Sequence, residues 1–404
     1  MPRKSHPERG SLLIAAVSGR ALAACARRAG FTPLVADFFA DADTQKIAHA
    51  CRKLGNIERG MRWQNLRRAF DALVKEAPSP VLGVVYGAGL EDRTPLLARI
   101  AEHWSLLGND AATVERIKSP ECFFPILDRL GIAHPKTVLK RPAQDAGWLV
   151  KRHGGAGGSH IVRSRLGKDK PGTYYQHYAE GIAISALFVA NGERARVLGF
   201  SGQWTAPTPR SPWRYCGAAQ PASLSAAVKG KMAEAAERLA AAFRIRGLAS
   251  ADFLLGETGP LLLEINPRPG ATLDIFDSET TPLLELHLDA VMMGKLPRIG
   301  IKLDGGMASA IVYAPEAITV PPGMIWPDWA ADRPKPGDRI DKSRPICTVW
   351  ARAATSARAR RLAEERIVNI LNALHDVTRG EIRGQGREGE RDRVVPDGLA
   401  ERQH

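Results

Sequence analysis

The chain has 404 residues, enough for two or three domains, and its 44% apolar and 25% charged composition is that of a folded globular protein. It contains no run of about 18 apolar residues, so a membrane-spanning helix is excluded. Lysine and arginine outnumber aspartate and glutamate by 57 to 43, and most of this excess lies in residues 11–378. The charge indicates either a solvated basic surface or an anionic partner. With only 6% aromatic residues, a small anion is favoured over nucleic acid.

The five cysteines are widely separated, with no CxxC pair and no cluster of histidines beside them. This spacing is not that of a zinc site, and it predicts reduced thiols in the cytoplasm. The first 25 residues resemble a lipoprotein signal, but Ser18-Gly19-Arg20 interrupts a short apolar run. A strand, a tight turn and a helix explain these residues better than export does.

The chain begins with a predicted disordered tail, 1–10, followed by an N-terminal doubly wound α/β domain, 11–112. In this domain the strand Val81–Tyr86 leads into Gly87-Ala88-Gly89. A dinucleotide fingerprint requires a third glycine where Asp92 stands, so the motif fails. We therefore interpret these glycines as turn residues and predict no catalytic role for this domain.

From residue 113 the pattern changes. Thr113–Leu130 is predicted to be helical but interrupted near Pro120 and Pro125. Short strands follow, then an alanine-rich helix over Ser223–Phe243. The sequence predicts loops at Gly202–Gly217 and Ala271–Thr281, which we expect to form the substrate pocket. The remaining expected segments are an α/β extension, 301–378, and a disordered polar tail, 379–404.

A glycine-rich segment follows a strand that ends in Lys151. Four glycines in five positions allow backbone N–H groups to wrap an anion, and the lysine adds a positive charge. The segment comprises Gly154, Gly155, Ala156, Gly157 and Gly158. A strand rather than a helix comes next, and no Walker motif is present, so a hairpin that closes over nucleotide phosphates is predicted. The alternative is a flexible hairpin without a ligand.

Acidic residues interrupt two apolar strands, Ala249–Leu255 and Leu261–Ile265. If their hairpin is symmetric about Thr258, Asp252 lies opposite Glu264, with Cβ atoms about 5 Å apart. Two such carboxylates repel each other unless a hard cation lies between them. With Asn266 on the same face, they predict a site for one or two Mg²⁺ ions, for which Mn²⁺ is an accepted substitute. The alternative is a solvated polar face.

These features occur in an order and spacing that resemble the ATP-grasp superfamily of carboxylate–amine ligases. The resemblance rests on Lys118, Lys151 with its glycine-rich loop, Tyr175–Gly181, Asp252, and Glu264-Ile265-Asn266-Pro267-Arg268. It covers residues 11–350. The form of the Tyr175–Gly181 segment resembles a subset linked to the synthesis of one-carbon carrier cofactors.

The resemblance implies a two-lobed fold that binds ATP between antiparallel sheets, with a small lobe, 113–180, and a large lobe with the metal site, 181–300. It places Lys118 and Lys151 on the phosphates. The adenine and ribose would contact a hinge formed by Gln176, His177, Tyr178 and Glu180. Arg268 and Lys151 are the implied catalytic residues.

The implied reaction converts a substrate carboxylate into an acyl phosphate, which an amine then attacks, and a homodimer is compatible with this family. Arg268 would meet the acyl phosphate; the alternative is that it only holds its own turn by pairing with Asp274 or Asp277. Two other functions remain open at this point. One is biotin carboxylase-like ATP-dependent carboxylation, and the other is non-catalytic ATP sensing.

Overall fold

The computed structural model describes residues 9–391, except residue 145 and the segments 166–169 and 302–303. The chain begins with a four-stranded parallel sheet that is covered on both faces by helices, as predicted. Its strand order is β3-β2-β1-β4, and α5 and α6 follow it. The elements are β1 Ser11–Ala15, α1 Arg20–Arg28, β2 Thr32–Asp37, α2 Ala42–Ile47, β3 Ala50–Lys53, α3 Trp63–Lys75, β4 Val81–Tyr86, α4 Thr94–Ala101, α5 Ala111–Lys118 and α6 Pro120–Arg129.

The predicted interruption near Pro120 is confirmed, whereas Pro125 lies inside α6 and does not interrupt it. Asp110 caps α5 by accepting a hydrogen bond from the Thr113 backbone N–H at 2.7 Å. Pro120 begins α6 at a position where its missing N–H costs nothing, so the chain turns at Ser119 between two helices. This turn leaves Lys118 as the last residue of α5.

A small antiparallel sheet with strand order β5-β8-β6-β7 comes next. We call it the small lobe. Its strands are β5 Thr137–Val138, β6 Trp148–Arg152, β7 Val162–Arg163 and β8 Thr173–His177. The glycine-rich loop connects β6 to β7, as the sequence predicts.

The remaining strands form an eight-stranded sheet with order β13-β12-β9-β10-β11-β14-β18-β16, which we call the large lobe. The helix α7 packs against this sheet, and α8 and α9 lie between it and the N-terminal domain. The elements are β9 Ile182–Asn191, β10 Ala195–Thr205, β11 Tyr215–Gln220, α7 Ala226–Phe243, β12 Arg246–Gly256, β13 Gly259–Asn266, α8 Leu273–Phe276, α9 Leu283–Met293, β14 Gly306–Tyr313, β15 Ile318–Thr319, β16 Ala330–Ala331, β17 Arg339–Ile340, β18 Pro345–Ala353 and α10 Ser356–Arg391.

Two predictions about the large lobe need correction. The expected loop over Gly202–Gly217 is shorter than predicted, because its two ends belong to β10 and β11 and only the segment 206–214 connects them. Glycines and small polar residues in β10 hide its strand pattern. The expected separate extension is part of the large lobe, since β14 pairs with β11 along the sheet edge. Its strands therefore complete the sheet that carries the acidic hairpin.

The predicted tails also need correction where the structure describes them. Gly10 is buried, and its carbonyl accepts a hydrogen bond from the Thr32 backbone N–H at 3.1 Å, so it belongs to the first sheet. At the other end, α10 continues from Arg379 to Arg391, so this part of the predicted tail is helical. Residues 1–8 and 392–404 lie outside the described part of the chain. Within the described residues, no helix is long and apolar enough to span a membrane.

Candidate functional site

The acidic hairpin places Asp252 directly opposite Glu264, as predicted, but by a different route. The turn is not symmetric about Thr258, because Gly256 pairs with Gly259 around two residues. A β-bulge next to Asp252 then shifts the register, which restores the predicted pairing. The bulge therefore aligns the two carboxylates on one face of the sheet.

Asp252 is held by neighbours on three strands. It accepts hydrogen bonds from Ser185 Oγ at 2.6 Å and from Asn266 Nδ2 at 3.0 Å, and Gln203 Nε2 lies 3.5 Å away. Burial, together with the charge of Glu264, raises the pKa of Asp252 to about 6. Two like charges are thus held close together at a cost in stability, which is typical of a site built for a cation.

Lys118 reaches this pair from the end of α5. Its Nζ lies 3.3 Å from Glu264 Oε2 and 3.1 Å from Asn266 Oδ1. Burial alone would raise the pKa of Glu264, but the charges of Lys118 and Lys151 outweigh burial and lower it. The residues predicted for metal and phosphate binding are therefore brought together.

The donor set fits a divalent cation that prefers oxygen ligands. Asp252, Glu264 and Asn266 supply two carboxylates and one amide oxygen, leaving positions for phosphate oxygens and water. The described residues contain no cluster of three or more His, Cys, Asp or Glu side chains that could hold a metal, so the candidate metal site rests on these two carboxylates together with the amide of Asn266.

Lys151 points inward from β6 and is only 6% exposed. Its Nζ donates to Gln176 Oε1 at 2.6 Å, and Gln176 Nε2 donates to Thr137 Oγ1 at 3.1 Å. The sequence predicts Gln176 at the adenine or ribose, whereas the structure shows it buried against Lys151. Burial lowers the pKa of Lys151 to about 8.

We expect nucleotide binding to weaken as the pH rises through the pKa of Lys151. A lysine whose pKa is lowered to about 8 is charged below that pH and loses its charge above it. Between about pH 7 and about pH 9 the dissociation constant of ATP should rise roughly tenfold. In Lys151→Arg the side chain stays charged and the profile should be flat. Titration calorimetry across this range measures both, and a rise of equal size in the arginine variant would contradict the assignment.

The remaining predicted hinge residues lie at the edge of the small lobe. The His177 side chain is exposed, with its ring against Trp148, and Glu180 is also exposed. The backbone N–H groups of His177 and Tyr178 are already engaged, by the carbonyls of Lys136 and Gly147. These residues lie beside the cleft between the small lobe and the acidic hairpin, but they are not gathered around the buried lysines.

The glycine-rich loop is docked on the segment 206–214, which connects β10 to β11 and which we call the docking loop. The Tyr215 backbone N–H donates to the Gly157 carbonyl at 2.9 Å, and Ser211 Oγ donates to the Ser159 carbonyl at 3.3 Å. Gly158 lies against the carbonyl of Trp213 with no room for a Cβ atom. Contacts between the two lobes therefore hold this loop over the cleft.

A matched pair of variants tests this docking. Gly157 and Gly158 both have a positive φ, 68° and 71°, so alanine strains the backbone equally at both. A Cβ on Gly158 would lie 1.9 Å from Trp213 O, whereas one on Gly157 meets nothing within 4 Å. We expect Gly158→Ala to lower kcat/KM for ATP about tenfold to 10²-fold more than Gly157→Ala does. Equal losses in steady-state assays would show that docking is irrelevant.

A cavity lies between the small lobe, α5–α6 and the acidic hairpin. It brings together a carboxylate of the candidate metal site, two cationic side chains and loop glycines. Its lining residues are Ile117, Lys118, Pro120, Phe123, Phe124, Arg152, Gly154, Gly155, His160, Tyr174, Leu263 and Glu264. These charged groups suit the phosphates of a nucleotide.

Arg268 forms a contact that the sequence did not predict. Its Nε donates to Glu91 Oε1 at 2.6 Å, and both side chains are almost fully buried. The alternative partners are wrong, because Asp274 binds Arg20 and Asp277 binds Arg28. Arg268 therefore does not merely secure its own turn.

Glu91 belongs to the N-terminal domain, for which no catalytic role is predicted. Its Oε2 accepts hydrogen bonds from the Gly89 and Leu90 backbone N–H groups at 2.8 and 3.2 Å. Burial would raise the pKa of Glu91, but the charges of Arg268 and Lys118 lower it to about 2. The sequence did contain one indication that Glu91 belongs to a functional site. This residue lies just beyond the carboxyl end of β4, where ligands of open α/β sheets bind.

Asn109 also connects the N-terminal domain to the region of Arg268. Its Nδ2 donates to the carbonyl of Pro267 at 2.9 Å, and its Oδ1 accepts from the Arg246 backbone N–H at 2.7 Å. The N-terminal domain thus holds both the side chain of Arg268 and the backbone that precedes it.

Known proteins resemble this chain in both sequence and structure. The model of the ATP-grasp domain family matches residues 112–272. A curated relative, an uncharacterized protein of Methanocaldococcus jannaschii, is 26% identical over 134 residues, and this match spans 33% of the chain but only 30% of the relative.

Three similar solved structures cover most of the chain. N5-carboxyaminoimidazole ribonucleotide synthetase of Thermotoga maritima is 16% identical with a TM-score of 0.61, covering 89% of this chain and 98% of its own. The L-amino acid ligase of Bacillus licheniformis is 15% identical with a TM-score of 0.63, covering 89% and 97%. Biotin carboxylase of Campylobacter jejuni is 16% identical with a TM-score of 0.64, covering 87% and 89%. At these identities the likeness establishes the fold. Residues 112–272 thus match the ATP-grasp domain family, and the chain as a whole has the ATP-grasp fold.

Proposed function

We propose that the protein is an ADP-forming ligase that activates a substrate carboxylate as an acyl phosphate and couples it to an amine. The observation that carries this proposal is the proximity of two groups of side chains. One is the acidic hairpin with Lys118, and the other is the buried Glu91–Arg268 pair; the charge of Arg268 acts on Asp252, and the charge of Lys118 acts on Glu91. The first group suits ATP phosphates, and in this proposal the guanidinium of the second binds the carboxylate substrate beside them.

In the proposed mechanism, Asp252, Glu264 and Asn266 would hold Mg²⁺, with Mn²⁺ as a substitute. When bound, the metal ion neutralises charge on the terminal phosphates. Lys118 and Lys151 bind phosphate oxygens, and the docked glycine-rich loop excludes water from the cleft. Arg268 binds the carboxylate and stabilises the charge that develops as the phosphoryl group is transferred. No side-chain nucleophile is required.

Carboxylation chemistry is a second candidate, because biotin carboxylases are among the similar structures. Both candidates begin with ATP-dependent phosphorylation of a carboxylate or bicarbonate. They differ in the acceptor, which is a free amine for the ligase and a ureido nitrogen of biotin for the carboxylase. Substrate tests therefore separate them.

The test is ADP release measured over a panel of carboxylates and amines, including carboxylate-bearing precursors of one-carbon carrier cofactors. We expect ADP to form only with an appropriate carboxylate. Hydroxylamine should replace the amine and yield a hydroxamate, because it traps acyl phosphates. ADP release that requires bicarbonate and free biotin would identify the carboxylase instead. If saturable ATP binding is accompanied by no ADP formation with any substrate, a sensor is supported.

A further inference from the structure

His160 lies where the glycine-rich loop ends and forms part of the cavity wall. Its ring lies directly on the Gly155 backbone, where an added Cβ would come within 2.4 Å of the ring atoms. Packing therefore fixes the ring beside Lys118, Arg152 and Glu264, which line the same cavity.

The Nδ1 atom of this ring is buried and has no hydrogen-bond partner among the described residues. Buried polar atoms of native proteins are nearly always paired, so such an atom calls for a ligand or an ordered water. The groups that act on the ring are the charges of Glu264, Lys151 and Arg152 and a backbone hydrogen bond with Ala156. Burial dominates and lowers the pKa of His160, so the free protein presents a neutral ring to the cavity.

We propose that His160 is a phosphate-binding residue of the nucleotide site, with Nδ1–H donating to an oxygen of the two terminal phosphates. This inference rests on the proposed function, because it requires that ATP occupies the cavity. Phosphate is favoured over the base, since the ring shares its cavity with Lys118, Arg152 and a metal-site carboxylate. Phosphate oxygens accept hydrogen bonds, so the ring nitrogen must be the donor.

Binding next to phosphates should also favour the protonated ring, which donates a charge-assisted bond. His160 would then strengthen nucleotide binding more at about pH 6 than at about pH 8. A histidine that only packs on Gly155 would have no such effect. The difference in pH dependence between the wild type and a variant lacking the donor is thus specific to the proposed role.

Calorimetry of ATP, ADP and AMP binding in the presence of Mg²⁺ provides the test. His160→Phe keeps a ring against Gly155 but removes the donor, whereas His160→Asn keeps an N–H donor at a similar distance. We expect His160→Phe to weaken ATP and ADP binding about tenfold or more and AMP binding little. His160→Asn should retain most of the affinity. His49→Asn, an exposed histidine of the N-terminal domain, is the control and should bind as the wild type does.

The outcomes separate this inference from the proposed function. Wild-type affinity of both His160 variants for ATP would overturn the role of His160 and leave the ligase proposal standing. Equal weakening for ATP, ADP and AMP in both variants would show a packing role and also overturn it. If the wild type binds no nucleotide, both proposals fail. Thermal unfolding of each variant identifies any general loss of structure.

Discussion

Asp252→Asn and Glu264→Gln are each expected to lower kcat for ADP formation by about 10²–10³-fold or more. Both substitutions keep the shape of the side chain but remove a charged oxygen from the candidate metal site. The carboxylates face each other across the hairpin, so losing either leaves the site one negative charge short of the pair that a divalent cation requires. Steady-state ADP release at saturating Mg²⁺ measures the effect.

The melting temperature of Asp252→Asn should not fall with its activity. Burial and the charge of Glu264 raise the pKa of Asp252 to about 6, so its ionised form destabilises the folded protein at neutral pH. Asp252→Asn removes that repulsion, and the melting temperature without metal should stay constant or rise at pH 7. As the pH falls below about 6, Asp252 becomes protonated in the folded protein, and the advantage of the variant should decline until the pH reaches the ordinary pKa of aspartate, about 4. Loss of activity with gained stability marks a functional residue.

A matched control is Asp71→Asn, because Asp71 lies on the surface of α3, where it pairs with Arg67. It should leave both activity and melting temperature close to those of the wild type. Full activity in Asp252→Asn or in Glu264→Gln would remove the metal site from the mechanism. A large drop in melting temperature would instead assign these carboxylates to the fold.

The acidic hairpin shows how much of the structure local sequence patterns can predict. Alternation along two strands was enough to predict that Asp252 faces Glu264, because both strands and their turn lie within 21 residues, 246–266. The bulge that restores the pairing was not predictable, since its cause is the fit of the hairpin into a larger sheet. The correct pairing thus came from an assumption of symmetry that the turn itself does not obey.

Such local patterns could not predict contacts between segments that are distant in the sequence. Glu91 and Arg268 are separated by 177 positions, and neither the failed glycine motif nor the Pro267–Gly270 turn contains information about the other. A loop was predicted at Gly202–Gly217, but its docking against the glycine-rich loop was not. That contact depends on how β10 and β11 are placed in the sheet, and their small polar residues give no clear alternation. Long-range packing, rather than local propensity, determines both.

The Glu91–Arg268 pair carries the second large expected effect. Glu91→Gln leaves Arg268 buried without its counter-charge, and we expect a loss of about 3–5 kcal/mol in the free energy of unfolding. The pKa of Glu91 is lowered to about 2, so the pair stabilises the fold above the ordinary pKa of glutamate and loses this effect as the pH falls towards 2. The stability of the variant should therefore change less over that acidic range. Chemical denaturation at several pH values measures both.

Catalysis and stability can be separated at this pair. Arg268→Ala should lower kcat about 10²-fold or more while nucleotide affinity changes little, because the guanidinium acts on charge that develops in the transition state. Arg268→Lys keeps the charge but loses the planar fork, so it should recover only part of the rate. The double variant Glu91→Leu with Arg268→Met replaces the pair by apolar groups and should regain stability without regaining activity. Recovery of turnover in that variant would show that the pair serves only the fold, whereas a stable and inactive protein would assign Arg268 to phosphoryl transfer and Glu91 to its positioning.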